Sequence, residues 1–189
     1  MGGEGRPEVF CADEQTEVPL DLPRWQQLTL DVLASEGVRG LSELALIFVN
    51  EHEITELNEE YMGAKGSTDV LAFPIDAAEA EIVLHGQPPN RGPDRAPPDI
   101  GDMPLLLGDV VICPAVAARQ APTHAGSLAD ELALLIVHGV LHVLGHDHAN
   151  DEERVSMQAR ELALLSVHHW HGPPPGNFRQ DHPDDPSHT

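Results

Sequence analysis

Residues 127–148 read SLADELALLIVHGVLHVLGHDH, a strongly apolar segment that ends in a group of four histidines. Ser127 is suited to cap a helix N-terminus, and Asp130 stands three residues later, where a capping box usually has Glu. Residues 132–137 are apolar on nearly every side, which predicts a central, buried helix. Gly145 is a suitable residue to end that helix.

Two of the histidines, His138 and His142, are four residues apart and therefore lie on the same face of the predicted helix. This spacing lets two imidazoles reach one metal ion at about 2 Å from each nitrogen. A turn at Gly145 brings the chain back, so either His146 or His148 is able to supply a third ligand. Zinc with three protein ligands keeps one coordination position open, as catalytic zinc sites do. The alternative is a set of core histidines bonded to the backbone or to carboxylates.

The residue after His138 bears on the kind of chemistry. Zinc peptidases of the HExxH type use the Glu of that motif as a general base, and Gly139 occupies its position here. Peptide hydrolysis by that mechanism is therefore disfavoured. A carboxylate that orients a ligand imidazole is still expected, and Glu131 and Asp147 are the candidates. His124 has no partner at ligand spacing and is expected at the surface.

Outside the central helix, strands and helices alternate along the chain. Period-two patterns predict strands, and apolar residues at helical spacing predict helices. Strands are predicted at 8–13, 41–50, 67–75 and 105–114, and helices at 22–37, 51–61, 115–121 and 151–170. Together with the central helix, these elements predict an α+β fold. A small mixed sheet of about four strands packs with about five helices, and the zinc site lies at the end of the central helix.

Two segments differ in composition from the rest of the chain. Residues 85–104 are rich in Pro, Gly and Asp, and they are expected to form a long flexible loop. Residues 171–189 are expected to form a disordered acidic tail. Residues 1–170 are then predicted to form a single domain, which is a suitable length for one hydrophobic core.

The chain is strongly acidic, with 32 Asp and Glu residues against 10 Lys and Arg, and a formal net charge of −22. This charge argues against a broad electrostatic grip on nucleic acid, so a polyanionic substrate needs local positive charge, a metal ion or a partner that delivers it. No apolar run approaches the roughly 20 residues of a membrane span. No basic and apolar leader opens the sequence, and a cytoplasmic protein without a membrane partner is expected. The two cysteines belong to no CxxC unit, so neither a disulfide framework nor a cysteine metal site is expected.

Three segments resemble the YbeY family, the bacterial rRNA-maturation endoribonucleases. HGVLHVLGHDH at 138–148 is similar to the family motif HGxLHLxGYDH. LNEEYMGAKGSTDVLAFPI at 57–75 is similar to the segment that contains LNxxYR and VLSFP, and LLLGDVVICPAVAARQA at 105–121 to the LGDIVIC strand and the helix after it. The order and spacing of the segments also fit, and the resemblance covers residues 8–168.

The resemblance implies an α+β domain in which His138, His142 and His148 hold one zinc ion and act in catalysis through it. It places His146 at a position that is usually Tyr. It implies a single-strand-specific endoribonuclease that acts in 3′-end maturation of the small-subunit rRNA and in ribosome quality control. The implied partners are precursor rRNA and the ribosome or ribosomal proteins, and not DNA.

The chain departs from the family at Met62, where many members have an Arg that is implicated in RNA handling. Lys65, the only lysine in the chain, is the candidate to bind the substrate in its place, and the alternative is a solvated loop lysine. Two other functions stay open. One is a different zinc hydrolase that acts on peptides or small substrates, which suits the acidic surface. The other is a non-catalytic ribosome assembly factor whose zinc holds the end of the helix.

Overall fold

The computed structural model describes residues 5–75 and 104–180, so the predicted loop at 85–104 lies, apart from Pro104, outside the described residues. Across these ranges the chain forms four strands and five α-helices. The strands are β1 (Pro7–Asp13), β2 (Ser42–Phe48), β3 (Val70–Pro74) and β4 (Leu105–Ile112). The helices are α1 (Leu22–Ser35), α2 (Glu51–Leu57), α3 (Pro114–Gln120), α4 (Leu128–Val143) and α5 (Asp151–His168). A π-helical turn, Asn58–Met62, follows α2, and a 3-10 turn, Ala121–Thr123, follows α3.

The strands form one mixed sheet in the order β1–β2–β4–β3, which confirms the predicted fold class. β1 and β4 run parallel to β2, and β3 runs antiparallel to β4. A bulge interrupts the pairing of β2 with β4, because Glu43 pairs with Leu106 whereas the next residue, Leu44, pairs with Gly108. The extra residue on β4 is therefore Leu107.

Successive residues of β4 enter two separate cores, because side chains alternate between the faces of a strand. Val110 and Ile112 are fully buried in the larger core, which includes residues of α1, α4 and α5. Val111, and Cys113 just after the strand, belong to a smaller core that includes residues of α2 and α3. Helices therefore cover both faces of this part of the sheet.

Helix α4 is the centre of the larger core, as predicted. Ser127 caps it, and its hydroxyl accepts a hydrogen bond from the backbone N–H of Asp130 at 3.1 Å. Every residue from 131 to 137 is buried. The helix packs on β3 and β4 and also contacts α1, α3 and α5. Gly139 permits the close approach to the sheet, because a Cβ atom there would lie 2.6 Å from Cγ1 of Val110.

The segment after α5 differs from the predicted disordered tail. Residues 171–180 pack on the domain, and Phe178 is only 9% exposed, with its ring centroid 4.7 Å from that of Trp170. The Pro-rich composition gave no sign of this, because the packing depends on one aromatic side chain that finds a place in the core. The domain therefore continues beyond residue 170, and residues 181–189 lie outside the described residues.

None of the helices in the described ranges is, taken singly, both long and apolar enough to cross a membrane. Pro114–Thr123 and Leu128–Val143 meet those two criteria only as a pair, and they are bent by 113° at the break between them. The second of these segments is the central helix of the larger core.

Candidate metal centre

The three histidines implied as zinc ligands lie together at the C-terminal half of α4 and in the loop after it. His138 and His142 are on α4, and His148 is in the loop. One ring nitrogen of each histidine lies within 4.8 Å of those of the other two. The Nε2 atoms of His138 and His142 are 3.1 Å apart. Tetrahedral zinc with bonds of about 2 Å places neighbouring ligand nitrogens about 3.3 Å apart, so this cluster fits a metal ion.

The loop that carries His148 begins with a Schellman turn. Gly145 has a φ of 95°, a left-handed conformation that suits glycine. Its N–H donates to the carbonyl of His142 at 3.0 Å. The N–H of His146 donates to the carbonyl of Leu141, also at 3.0 Å. These bonds satisfy the last helix carbonyls and turn the chain back, as the position of Gly145 predicts.

His146 has a different partner from the three clustered histidines. Its Nε2 lies 3.2 Å from Oε2 of Glu36, just beyond the end of α1. The other oxygen of this carboxylate accepts a hydrogen bond from Arg160 of α5. His146 therefore ties the loop to the side of the domain, and it is His148 that joins the helical pair.

A buried carboxylate from α5 orients the first histidine of the cluster. Glu161 is 3% exposed, and its Oε1 lies 2.6 Å from Nδ1 of His138. Accepting a hydrogen bond from Nδ1–H leaves the Nε2 lone pair of His138 directed at the cluster, as metal-bound histidines require. The sequence reasoning missed this residue. The available signal was an acid placed four residues after Met157 and four before Leu165, inside the buried stripe of a helix.

The carboxylates that the sequence suggested for this orienting role have other partners. Glu131 is fully buried and its Oε1 lies 2.8 Å from Nδ1 of His124, which is itself only 6% exposed. Glu131 therefore does not orient a clustered histidine, and His124 is buried and not at the surface, so both of these expectations were wrong. Glu131 lies about 10 Å along the helix from His138 and cannot reach its ring. Asp147 accepts a hydrogen bond from the backbone N–H of His148 at 2.7 Å and so shapes the loop.

The surroundings of His142 favour its neutral form. Burial, followed by the neighbouring imidazoles of His138 and His148, lowers the pKa of His142 to about 4. A neutral imidazole has a lone pair available, because a metal ion and a proton compete for the same nitrogen. His142 is therefore in the protonation state that binds a cation at neutral pH.

The three histidines border a cavity of about 900 Å³. Met62, at the position where the resemblance places an Arg, lines this cavity without a charge. Among the Lys and Arg residues that the structure describes, Arg154 alone lines it. The Nη2 of Arg154 donates to Oδ1 of Asp151 at 2.8 Å. Lys65 is exposed and is not one of the lining residues.

Most of the chain matches one family of known proteins. The sequence profile described as Endoribonuclease YbeY matches residues 10–168. The chain belongs to the YbeY family. An Endoribonuclease YbeY from Salinispora tropica is 44% identical over 155 residues, which cover 82% of this chain and 88% of that protein. One from Acidothermus cellulolyticus is 41% identical over 154 residues, which cover 81% and 87%. The prediction of this endoribonuclease family from three sequence segments is confirmed.

The fold also has a counterpart among solved structures. The solution structure of a Thermotoga maritima protein matches with a TM-score of 0.50 and 20% identity, covering 86% of this chain and 91% of that one. At this identity the likeness bears on the fold alone. The YbeY match ends at residue 168, so residues 171–180 lie outside it although they pack on the domain.

Proposed function

We propose that the chain is a zinc-dependent endoribonuclease that cleaves single-stranded RNA, with His138, His142 and His148 as metal ligands. The observation that carries the proposal is the convergence of their ring nitrogens within 4.8 Å, beside a cavity. Three imidazoles without cysteine suit zinc and leave a coordination position open. Membership of the YbeY family supports RNA as the substrate.

The residues around the cluster have separate roles in this proposal. Glu161 holds the imidazole of His138 in the tautomer that presents Nε2 to the ion. A zinc ion held by the three histidines would supply Lewis acidity toward a phosphodiester and toward water. Gly139 puts no carboxylate beside His138, which separates this site from peptidases of the HExxH type.

RNA binding by so acidic a chain calls for local positive charge. We propose that Arg154 contacts a phosphate, because a guanidinium pairs with two phosphate oxygens and no other described Lys or Arg lines the cavity. Asp151, one of its partners, has a side chain that is 89% exposed, so solvent screens that ion pair and a phosphate is able to compete with this carboxylate for the guanidinium. Lys65 lies outside the cavity, where we propose that it contacts RNA that extends beyond the cut.

We propose that the substrate is the precursor of the small-subunit rRNA. The chain would cleave it in the cytoplasm, during 3′-end maturation and ribosome quality control. This part of the proposal follows from the family resemblance. The net charge of −22 favours partners with basic surfaces, and ribosomal proteins have that chemistry. Such a partner would also deliver RNA whose phosphates are already partly neutralised.

The test is metal analysis and an RNA-cleavage assay on four histidine variants. His138→Ala, His142→Ala and His148→Ala should each lose bound zinc and cleavage of a single-stranded RNA. His146→Ala is the control for the alternative third ligand, because the ring of His146 has Glu36 as partner, and it should keep bound zinc. A zinc-free variant that cleaves RNA at the rate of the unaltered protein would refute the proposal.

Two further assays separate this function from the other candidates. A peptidase or small-substrate hydrolase would cleave casein or a model ester and leave single-stranded RNA intact. A non-catalytic assembly factor would support normal rRNA processing in a strain whose only copy carries His142→Ala. The endoribonuclease proposal requires cleaved RNA in the first assay and unprocessed rRNA in the second.

A further inference from the structure

Residues 171–180 are held on the domain at several points. Phe178 enters the larger core beside Trp170. The backbone N–H of Arg179 donates to the carbonyl of His124 at 3.0 Å. Earlier in the segment, Asn177 lies so close to the turn before α4 that a Cβ atom on Gly126 would be 2.4 Å from its Nδ2. The burial of Phe178 and the backbone hydrogen bond of Arg179 determine where the next residue, Gln180, is placed.

The side chain of Gln180 reaches the carboxylate that orients the metal cluster. Its Nε2 donates to Oε2 of Glu161 at 3.2 Å and to the carbonyl of Gln158 at 2.9 Å. An amide nitrogen has two hydrogens, so each acceptor receives one. Glu161 is then held through both oxygens, with Oε1 on Nδ1 of His138 and Oε2 on Gln180.

The two contacts of Glu161 act together on the geometry of the metal ligand. A carboxylate held at one oxygen is still able to rotate about its last bond, and a second hydrogen bond fixes that rotation. The donor is a neutral amide, so it adds no charge of its own beside the carboxylate. Oε1 of Glu161 therefore keeps its hydrogen bond with Nδ1 of His138 while Oε2 is held by Gln180.

We propose that Gln180 is a positioning residue of the metal centre, which makes the segment 171–180 a working part of the site. Gln180 fixes Glu161, and Glu161 fixes the ring of His138. The inference rests on the proposed zinc site, although it does not depend on the substrate. It adds to the family description, because the YbeY match ends at residue 168.

The test measures the affinity of the full chain for Zn²⁺ alone, by competition with a chromophoric chelator. Loss of an orienting group around a metal ligand usually weakens binding tenfold to 100-fold. Gln180→Ala should weaken Zn²⁺ binding by about tenfold, the lower end of that range. Gln180→Glu should weaken it further, because a second carboxylate would face Glu161. Asn177→Ala is the matched control in the same segment, and it should bind Zn²⁺ as the unaltered protein does.

A double-mutant cycle separates positioning from general loosening of the fold. In a Glu161→Ala background, Gln180→Ala should cause no further loss of Zn²⁺ affinity, because its effect passes through that carboxylate. Additive losses would overturn the proposal. So would a Gln180→Ala protein with unchanged Zn²⁺ affinity, a result that stands even where Glu161→Ala fails to fold.

Failure of the Gln180 proposal is distinguishable from failure of the proposed function. A protein that binds Zn²⁺ but leaves RNA intact refutes the endoribonuclease proposal, while the affinities of the Gln180 variants still decide this one. A protein that binds no Zn²⁺ refutes both. Thermal unfolding of the metal-free variants completes the set, because Gln180→Ala and Asn177→Ala should then differ little in Tm.

Discussion

Gly139 offers a sharp test of how α4 sits on the sheet. A Cβ atom added there would lie 2.6 Å from Cγ1 and 3.3 Å from Cγ2 of Val110, a fully buried residue of β4. Real Cβ atoms do not approach other atoms so closely, so the helix or the valine must move. Two opposed effects therefore determine the stability of Gly139→Ala.

The stabilising and destabilising effects are of similar size, so the sign of the net change in the free energy of unfolding is informative. Alanine is favoured over glycine in the middle of a helix by about 0.8–1 kcal/mol. Inserting a methyl group into a packed core costs about 1–3 kcal/mol. The substitution should therefore lower the free energy of unfolding by up to roughly 2 kcal/mol, which corresponds to a fall in Tm of about 2–4 °C for each kcal/mol.

Val110→Ala supplies the control, because it removes both methyl groups that the new Cβ atom would meet. Val110→Ala alone should be destabilising. In that background, however, Gly139→Ala should raise the free energy of unfolding by up to about 1 kcal/mol, since only the helix propensity remains. Denaturant titrations of metal-free protein measure all four species without a contribution from binding. Equal destabilisation of both backgrounds by Gly139→Ala would refute the close contact.

Three further predictions concern the cavity, the loop and the start of α4. Arg154→Gln should raise the KM for single-stranded RNA. It should also lower the slope of log KM against log salt concentration by about 0.7, because one phosphate contact is lost. Arg39→Gln, at an exposed position, should change neither quantity. Gly145→Ala should lower the free energy of unfolding by about 1 kcal/mol, because φ at that residue is 95°. If the substitution acts on the loop, the free energy of Zn²⁺ binding should fall by more than the free energy of unfolding does. Burial acts to raise the pKa of Asp130, but hydrogen bonds led by the one from Trp170 outweigh it and lower the pKa below 3.8. That carboxylate therefore stabilises the fold above about pH 4, and the Tm advantage of the unaltered protein over Asp130→Asn should shrink as the pH falls below that value; a constant difference would contradict it.

The parts of the fold that depend on local sequence could be predicted well. Ser127 and Gly145 mark the ends of α4 because a cap and a Schellman turn need only residues a few positions away. The spacing of His138 and His142 is likewise a property of one helix. The choice of His148 over His146 came from the family resemblance, because both follow the same glycine and either was within reach by spacing alone.

The parts that depend on distant contacts could not be read from local patterns. Glu161 lies 23 positions from His138. Its place in the buried stripe of α5 indicates that the acid is buried, but nothing near either residue indicates which partner it has. Phe178 stands in a segment whose composition is typical of disorder, and its burial depends on Trp170. In both cases tertiary packing determined the structure where local propensity was neutral or opposed to it.

The residues that form and orient the metal site all come after the strands of the sheet in the sequence. The four strands of the described sheet all end by Ile112, whereas the three clustered histidines, Glu161 and then Gln180 come later in the sequence. Synthesis proceeds from the N-terminus, so the residues of the sheet are available before any residue that would hold the ion. Among the described supports of the site, Gln180 is therefore the last to be synthesised. A nascent chain that stops short of residue 180 has the three histidines and Glu161 but lacks the amide that fixes the Glu161 carboxylate.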